Sequence, residues 1–291
     1  MNTHKIRILL TALESGSLTR AGSILGYSQP GLTQMMKSLE EEVGFPLLIK
    51  TNRGVEPTEA AKELMPTMRQ LINDEEKLSQ EIAEIRGMYK GTIRIGSYTS
   101  TSIHWLPQVV EYFKNNYPEV ELRIQECGQD DMVRDLKERK IDLALMSRPE
   151  KTAIEFIPIM EDPIVVVYSS AYDLSSYDCV PVEKLRDHML LMTDETYDRD
   201  VRRVFEQAGF EPKVKYTFKD DFAVLSMVQR GVGIAILPRL IAESFPGSYE
   251  YRVIEPVTCR TLGIGINSID ELGPLPRFLI QYIKDNIPQK N

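Results

Sequence analysis

The residues of this 291-residue chain best equipped for chemistry lie between Ser15 and Ala61. There Gln29, Pro30, Thr33, Gln34 and Lys37 are spaced to share one side of a helix. A glutamine amide can hold adenine through two hydrogen bonds, a threonine methyl can touch thymine, and a lysine can meet guanine or phosphate. The chemistry on offer is the reading of base edges. The alternative is an ordinary helical hairpin with a solvated polar face. Further along, Ser97-Tyr98-Thr99-Ser100-Thr101-Ser102 stands between a strand pattern and a helix start. Its hydroxyls and free backbone N–H groups suit an anion, although a serine or threonine cap without a ligand has the same composition.

Local signals supply the elements that would position these residues. Ser17 suits the N-cap of a helix whose buried side carries Ala21, Ile24 and Leu25, and Gly26 suits its end. Ser28 suits the cap of a second helix, with Pro30 tolerated in the first turn. Leu32, Met36 and Leu39 then form a core face. After Gly44 the run LLIKTNRGVEPT reads as a short hairpin, whose basic tip, with Lys50 and Arg53, can reach DNA backbone or minor groove. This arrangement places a helix in a major groove. Thr58 can cap a long helix running to about Arg86. In it Leu64, Leu71, Leu78 and Ile85 recur every seven residues, with Met68 and Ile82 between and Glu75 as an interruption. That is a seam for pairing with a second helix, or a long amphipathic helix packed on its own domain, and Pro66 is placed to kink it. From Thr92 onward strand patterns alternate with helical ones, the signature of parallel sheets covered by helices.

Composition narrows the function. A hydrophobic share of 42% and a charged share of 27% are those of a globular protein, and the sequence has no 18-residue apolar run for a membrane span. MNTHKIRILL does not read as a signal peptide, and the cysteines Cys127, Cys179 and Cys259 have no metal-ligand spacing. Both point to a reducing cytoplasm. The net charge of −8 opposes nucleic-acid binding until the chain is divided. Residues 1–60 hold six Lys/Arg and six Glu, so the head is neutral and the excess lies elsewhere. A neutral head makes few phosphate contacts and binds weakly as one copy, which favours an oligomer. His4, His104 and His188 show no pairing for metal binding or nucleophilic catalysis, and Trp105 reads as core. Cys127 lacks a nearby partner cysteine, and Gly231-Val232-Gly233 reads as a tight turn rather than a dinucleotide loop.

The segment resembles the N-terminal domain of LysR-type transcriptional regulators. Gly16, Ser17, Thr19, Ala21, Leu25, Ser28, Gln29, Pro30, Leu39, Glu40, Gly44, Leu47, Thr58 and Ala60 carry the resemblance. The departures are Gly22 for alanine, Thr33 for serine, Leu48 for phenylalanine, Lys50 for arginine and Ala61 for glycine. Lys50 lacks the planar fork of arginine for a bidentate contact. TIRIG, WLP, FKNNYPEVEL, KIDLALM and GVGIAILP resemble, in order, the effector-binding domain of the same regulators, which has the fold of periplasmic solute-binding proteins.

The resemblance implies an α/β protein with a winged helix-turn-helix over 1–58, a linker helix over 59–90 and an effector domain over 91–291. The first lobe is expected over 91–162 and 263–291 and the second over 163–262, with crossings near Glu161–Pro163 and Leu262. It implies an effector, with Ser100 at a position that commonly meets it and Gln129, Ser147 and Thr193 at matching loop positions; the hydroxyl run of Thr99, Ser100 and Thr101 at a helix start makes a small organic anion the expected ligand. Arg148 either neutralises a carboxylate or forms a surface ion pair. The implied partners are promoter DNA, the effector, RNA polymerase, and further copies of the chain as a dimer through the linker helix and as a tetramer. No cofactor, metal, membrane or catalysis is expected. A transporter-linked solute-binding protein and an α/β enzyme are the alternatives. The reading head and lack of an export signal oppose the first, and the lack of a catalytic constellation opposes the second.

Overall fold

The computed structural model describes residues 2–52, 54–150, 152–193 and 199–287. The head is built from helices α1 (Thr3–Ser15), α2 (Leu18–Leu25) and α3 (Gln29–Val43) and a hairpin of β1 (Leu48–Thr51) and β2 (Gly54–Pro57). Ser17 and Ser28 cap α2 and α3 by accepting from the N–H groups of Arg20 and Gly31. Ile8, Leu9, Ala21, Leu32 and Leu39 close the core between these helices. Ile24 does not join them: it is 62% exposed, and α2 buries Leu18, Ala21 and Gly22 instead. The departure at Gly22 has a steric reason, since a Cβ there would stand 2.7 Å from the Tyr27 carbonyl oxygen. The hairpin is fastened to the α1–α2 turn by the Val55 N–H donating to Gly16 O at 3.0 Å. Gly54, at φ 132°, passes so close that a Cβ would lie 2.0 Å from the same oxygen.

Helix α4 (Glu59–Ile85) runs through Pro66 without interruption. Its first half belongs to the head, where Ala61, Met68 and Ile72 are buried and Leu64 and Met65 pack against the core. Its second half leaves Leu71, Leu78, Ile82 and Ile85 exposed as one stripe. The sevenfold pattern thus serves two surfaces, with Leu64 turned into the head and the later members bare.

The C-terminal domain continues as β3 (Gly91–Ser97), α5 (Thr99–His104), α6 (Leu106–Asn116), β4 (Val120–Glu126), α7 (Gln129–Lys137), β5 (Leu143–Ser147) and β6 (Glu155–Tyr168). It then forms β7 (Cys179–Pro181), β8 (Leu190–Thr193), α8 (Arg199–Ala208), β9 (Val214–Phe218), α9 (Asp221–Gln229) and β10 (Ile234–Pro238). Helix α10 (Arg239–Ser244), β11 (Glu250–Glu255), β12 (Cys259–Ile266) and α11 (Pro274–Asn286) complete it. The first lobe has strand order β4-β3-β5-β12-β6. Beyond Pro163, β6 leaves β12 and pairs with β10 and β11, and β10 leads to β8 and β9. The run Ile164–Tyr168 is apolar throughout because alternate residues enter separate cores on the two faces of the second lobe.

The sheets are mixed rather than parallel. Strands β3, β4 and β5 are parallel, whereas β12 is antiparallel to both β5 and β6. One strand carries the chain out of the first lobe and the other brings it back, so they must run in opposite directions. The return begins at Cys259, opposite Pro163, upstream of the expected Leu262. The helical stretch after β3 starts at Thr99 and is divided at Trp105 into α5 and α6. Pro107 has no N–H to continue the α5 ladder, so the chain restarts as α6 with that proline in its first turn.

Candidate functional site

Two surfaces hold the residues singled out by type and spacing. On the head, Gln29, Pro30, Thr33, Gln34 and Lys37 are all exposed on α3, while Leu32, Met36 and Leu39 on its opposite side are buried. Thr33 Oγ1 donates to the Gln29 carbonyl at 3.0 Å, which leaves its methyl free for an apolar contact. Among the described residues, Lys37 has a loose i,i+4 partner in Glu41 at 3.8 Å. Glu40, at the far end of α3, accepts the N–H groups of Leu47 and Leu48 at 2.7 and 3.2 Å and so fixes the hairpin relative to this face. Lys50 is exposed on the hairpin, and Arg53 lies outside the described residues. The arrangement can offer amide, methyl and ammonium groups to one groove.

The second surface lies between the lobes. Arg260 on β12 and Asp162 on β6 are cross-strand neighbours on the strands that join the lobes. Asp162 is 0% exposed and Arg260 is 6% exposed. Nε and Nη2 of Arg260 donate to Asp162 Oδ2 at 3.0 and 2.8 Å, and Nη2 also donates to Ser100 Oγ at 2.8 Å. Asp162 Oδ1 accepts the Leu240 N–H, at the start of α10, at 3.2 Å. This cluster ties α5 in the first lobe to α10 in the second. Around it, Ser147 Oγ donates to Asp200 Oδ2 at 2.7 Å, and Arg203 approaches Glu150 at 3.4 Å. His104 Nε2 lies 2.8 Å from the Leu240 carbonyl. A cleft of about 320 Å³ remains, lined by Gln129, Arg148, Glu150, Asp200, Arg202, Arg203 and Glu206.

Residues 3–62 match the family model for the bacterial regulatory helix-turn-helix protein, lysR family, and residues 86–288 match the LysR substrate binding domain. The chain belongs to the LysR family. It is a DNA-binding transcriptional regulator with an effector-binding domain. It is 25% identical over 288 residues, 98% of either chain, to the uncharacterized HTH-type transcriptional regulator YvbU of Bacillus subtilis. Its fold resembles that of a full-length OxyR variant from Pseudomonas aeruginosa, with a TM-score of 0.80 at 19% identity over 99% of this chain and 95% of that one. It also resembles the effector binding domain of QuiR in complex with shikimate, with a TM-score of 0.60 at 22% identity over 68% of this chain and 100% of that one.

Within this LysR-type regulator the expected effector residues are placed unevenly. Ser100 joins the cluster through Arg260, and Ser147 bridges to the second lobe. Gln129 lines the cleft, and its Oε1 accepts from the Tyr98 hydroxyl at 3.1 Å. Thr193 is buried at the end of β8. Thr101 is internal: its hydroxyl is shared among Ser97 Oγ and the carbonyls of Tyr98 and Leu145. Thr99 turns towards the edge of the lobe and donates to Glu126. Arg148 is exposed and lies over the Phe156 ring, 5.0 Å from its centroid. Asp162 and Arg260 had no place among the expected site residues. Their one signal was charge at the start of otherwise apolar strand patterns, EDPIVVVY and CRTLGIGI.

Two of the free cysteines are partly buried. Burial, helped by Asp135 and Asp131, pushes the Cys127 thiol above its ordinary value, so little thiolate is present near neutral pH. Burial does the same to Cys259. Among the described residues, no cluster of three or more His, Cys, Asp or Glu could hold a metal ion, and no helix is long and apolar enough to cross a membrane.

Proposed function

We propose that this regulator reads promoter DNA with Gln29, Pro30, Thr33, Gln34 and Lys37 of α3 and steadies itself on the backbone through the hairpin tip, including Arg53. The exposed stripe Leu71, Leu78, Ile82 and Ile85 on α4 pairs with the same stripe of a second copy, so that two neutral heads act together. Pairs of dimers form the tetramer. The protein works in the cytoplasm by binding rather than catalysis, and RNA polymerase is the partner that turns its placement on DNA into output.

The effector is a small organic anion held between the lobes, most simply a carboxylate. The observation that carries this reading is the Arg260 guanidinium at the junction of the lobes, with Nη2 already on Ser100. Its Nη1 makes no hydrogen bond among the described residues, and arginine presents a fork matched to a carboxylate. Gln129, Ser147 and Thr193 contribute from neighbouring loops. Support also comes from the resembling QuiR domain, whose ligand, shikimate, is a carboxylate.

The test is a thermal-shift screen of the full-length chain with small carboxylates, amino acids and neutral aromatics, followed by promoter mobility shifts with the best binder. A ligand at a hundred times its dissociation constant stabilises by about 2.7 kcal/mol. The expected hit is anionic and weakened by Ser100→Ala. A neutral or cationic hit, or one indifferent to the Ser100 hydroxyl, removes the anion assignment. Failure of the head to shift any promoter fragment removes the DNA-reading assignment.

A further inference from the structure

A cavity of about 500 Å³ opens where the head, the linker helix and the first lobe meet, well within the range of small-molecule sites. It shares no lining residue with the cleft between the lobes. The elements contribute one charge sign in excess. Arg7 comes from α1, Arg69 from α4, Arg94 from β3, Arg123 from β4, and Arg139 and Lys140 from the loop after α7, whereas Glu14 is the acidic residue of the lining. The lining itself thus presents six cations to one carboxylate, with further carboxylates paired to those cations from behind.

Five of these cations already have near partners. Arg7 meets Glu76 at 2.8 Å, Arg94 meets Glu76 at 2.8 Å, Arg123 meets Glu121 at 3.0 Å, and Arg139 and Lys140 meet Glu271 and Glu138 at 2.7 Å each. Arg69 differs. It is 5% exposed, yet its charged neighbours among the described residues, Glu14 and Glu138, both stand 3.8 Å away, and its Nε is buried with no hydrogen-bond partner. A buried guanidinium donor left unfilled is costly, so its retention calls for an acceptor from outside the chain. The rim carries a second irregularity. Among the described residues, Arg139 is the non-glycine held at positive φ, at 58°. It occupies the position after α7 where glycine fits freely, with Arg139 N–H donating to Leu136 O and Lys140 N–H to Asp135 O. Keeping an arginine in that conformation favours a use for its side chain.

We propose that this junction is a second anion-binding site, for a small oxyanion carrying two or more charges, a phosphorylated or polycarboxylate metabolite. Arg69 is its buried anchor, and Arg123, Arg139 and Lys140 form its rim. An anion seated there contacts head, linker and first lobe together. It therefore favours the arrangement in which the head rests on the lobe, and its affinity and that for DNA must be coupled reciprocally.

The experiment is calorimetric titration of the full-length protein with inorganic pyrophosphate, and separately with citrate, at constant ionic strength. Saturable binding is expected, weakened roughly tenfold or more in Arg69→Met, as loss of a charge-assisted hydrogen bond implies. Lys140→Gln and Arg123→Gln, both towards the rim, are expected to weaken it less and keep the test open should Arg69→Met fail to fold. Ser100→Ala, in the other cleft, removes any binding there and should leave the junction isotherm in place. Binding of pyrophosphate alone marks a phosphate ligand and binding of citrate alone a carboxylate; either supports the site when the junction variants weaken it. No saturable binding of either probe, equal affinity in the wild type and all junction variants, or loss in Ser100→Ala with retention in Arg69→Met overturns it.

Discussion

Replacing Arg260 by methionine should unfasten the two lobes at a measurable cost. The side chain donates twice to Asp162 at 3.0 and 2.8 Å and once to Ser100 at 2.8 Å, and Asp162 has no exposure to solvent. Removing one member of a buried pair leaves the other charged and poorly served, which costs roughly 3–5 kcal/mol. The lower end applies here, because the Leu240 N–H still serves Asp162 Oδ1 at 3.2 Å. For a domain of this size about 3 kcal/mol corresponds to a fall in Tm of roughly 6–12 °C. Thermal unfolding of the full chain, followed by near-ultraviolet circular dichroism, reads the change. The companion variant Asp162→Leu/Arg260→Met removes both charges and should lie closer to the wild type than Arg260→Met alone, since apolar replacement of a buried pair is often tolerated. A loss below about 1 kcal/mol in the single variant is the behaviour of an exposed pair and would refute the reasoning. So would a double variant as unstable as the sum of the two singles, because groups in contact should not act additively.

Other consequences follow for the head, the linker and the acid response. Gln34→Ala should cost roughly 1–3 kcal/mol on the cognate site and little on random DNA, whereas Lys37→Ala should weaken both alike; binding isotherms on the two sequences decide this. Leu71→Glu together with Leu78→Glu places charges in the bare stripe of α4, so assembly mass should fall and site affinity with it while the effector domain stays folded. Unchanged mass by sedimentation would exclude the stripe as the pairing surface. Glu76 is held below its ordinary value of 4.5: burial opposes this, but Arg94 and Arg7 outweigh it. Its contribution is therefore complete above the ordinary glutamate range and disappears as pH falls through the lowered value. Urea unfolding of the wild type and Glu76→Gln should differ at neutral pH and converge on acidification; a gap that widens on acidification would contradict the ion pairs.

Local physics made the head legible. Its caps, its turn and the burial of Leu32, Met36 and Leu39 depend on neighbours within a few residues, and the sequence carries those neighbours in order. Ile24 escaped because an eight-residue helix has too few turns to orient its faces by periodicity. In the effector domain the alternation of strands and helices is readable, but the full length of β6 is not marked in the sequence. Pro158, Glu161, Asp162 and Pro163 look like breakers, although they lie inside a strand running from Glu155 to Tyr168. They mark the segment where the chain passes between lobes, and charge is tolerated there because Arg260 meets it. That pairing joins residues 98 positions apart, a separation no local pattern encodes. The same distance explains the hydroxyl run. Whether Ser100 faces a ligand or a salt bridge depends on β12, and whether Thr101 is free depends on the Leu145 carbonyl.

The route from cleft to head can be argued from one rigid element. Strand β3 holds Arg94, which grips Glu76 of the linker helix at 2.8 Å, and ends at Ser97, three residues before Ser100. Glu76 in turn meets Arg7 of α1 at 2.8 Å, inside the DNA-reading head. Arg94 is also clamped from behind, its N–H donating to Asp142 at 2.7 Å, so β3 and its arginine move as a unit with the first lobe. An effector acts only by binding one arrangement of the lobes better than another. Under the proposed function, a carboxylate that takes the Ser100 hydroxyl and a free arm of Arg260 competes with the tie between α5 and β12. It thereby changes how the first lobe sits on the crossing strands. Because the first lobe grips the linker helix through Arg94, and that helix grips the head through Arg7, the change reaches the spacing of paired heads without any contact between effector and DNA.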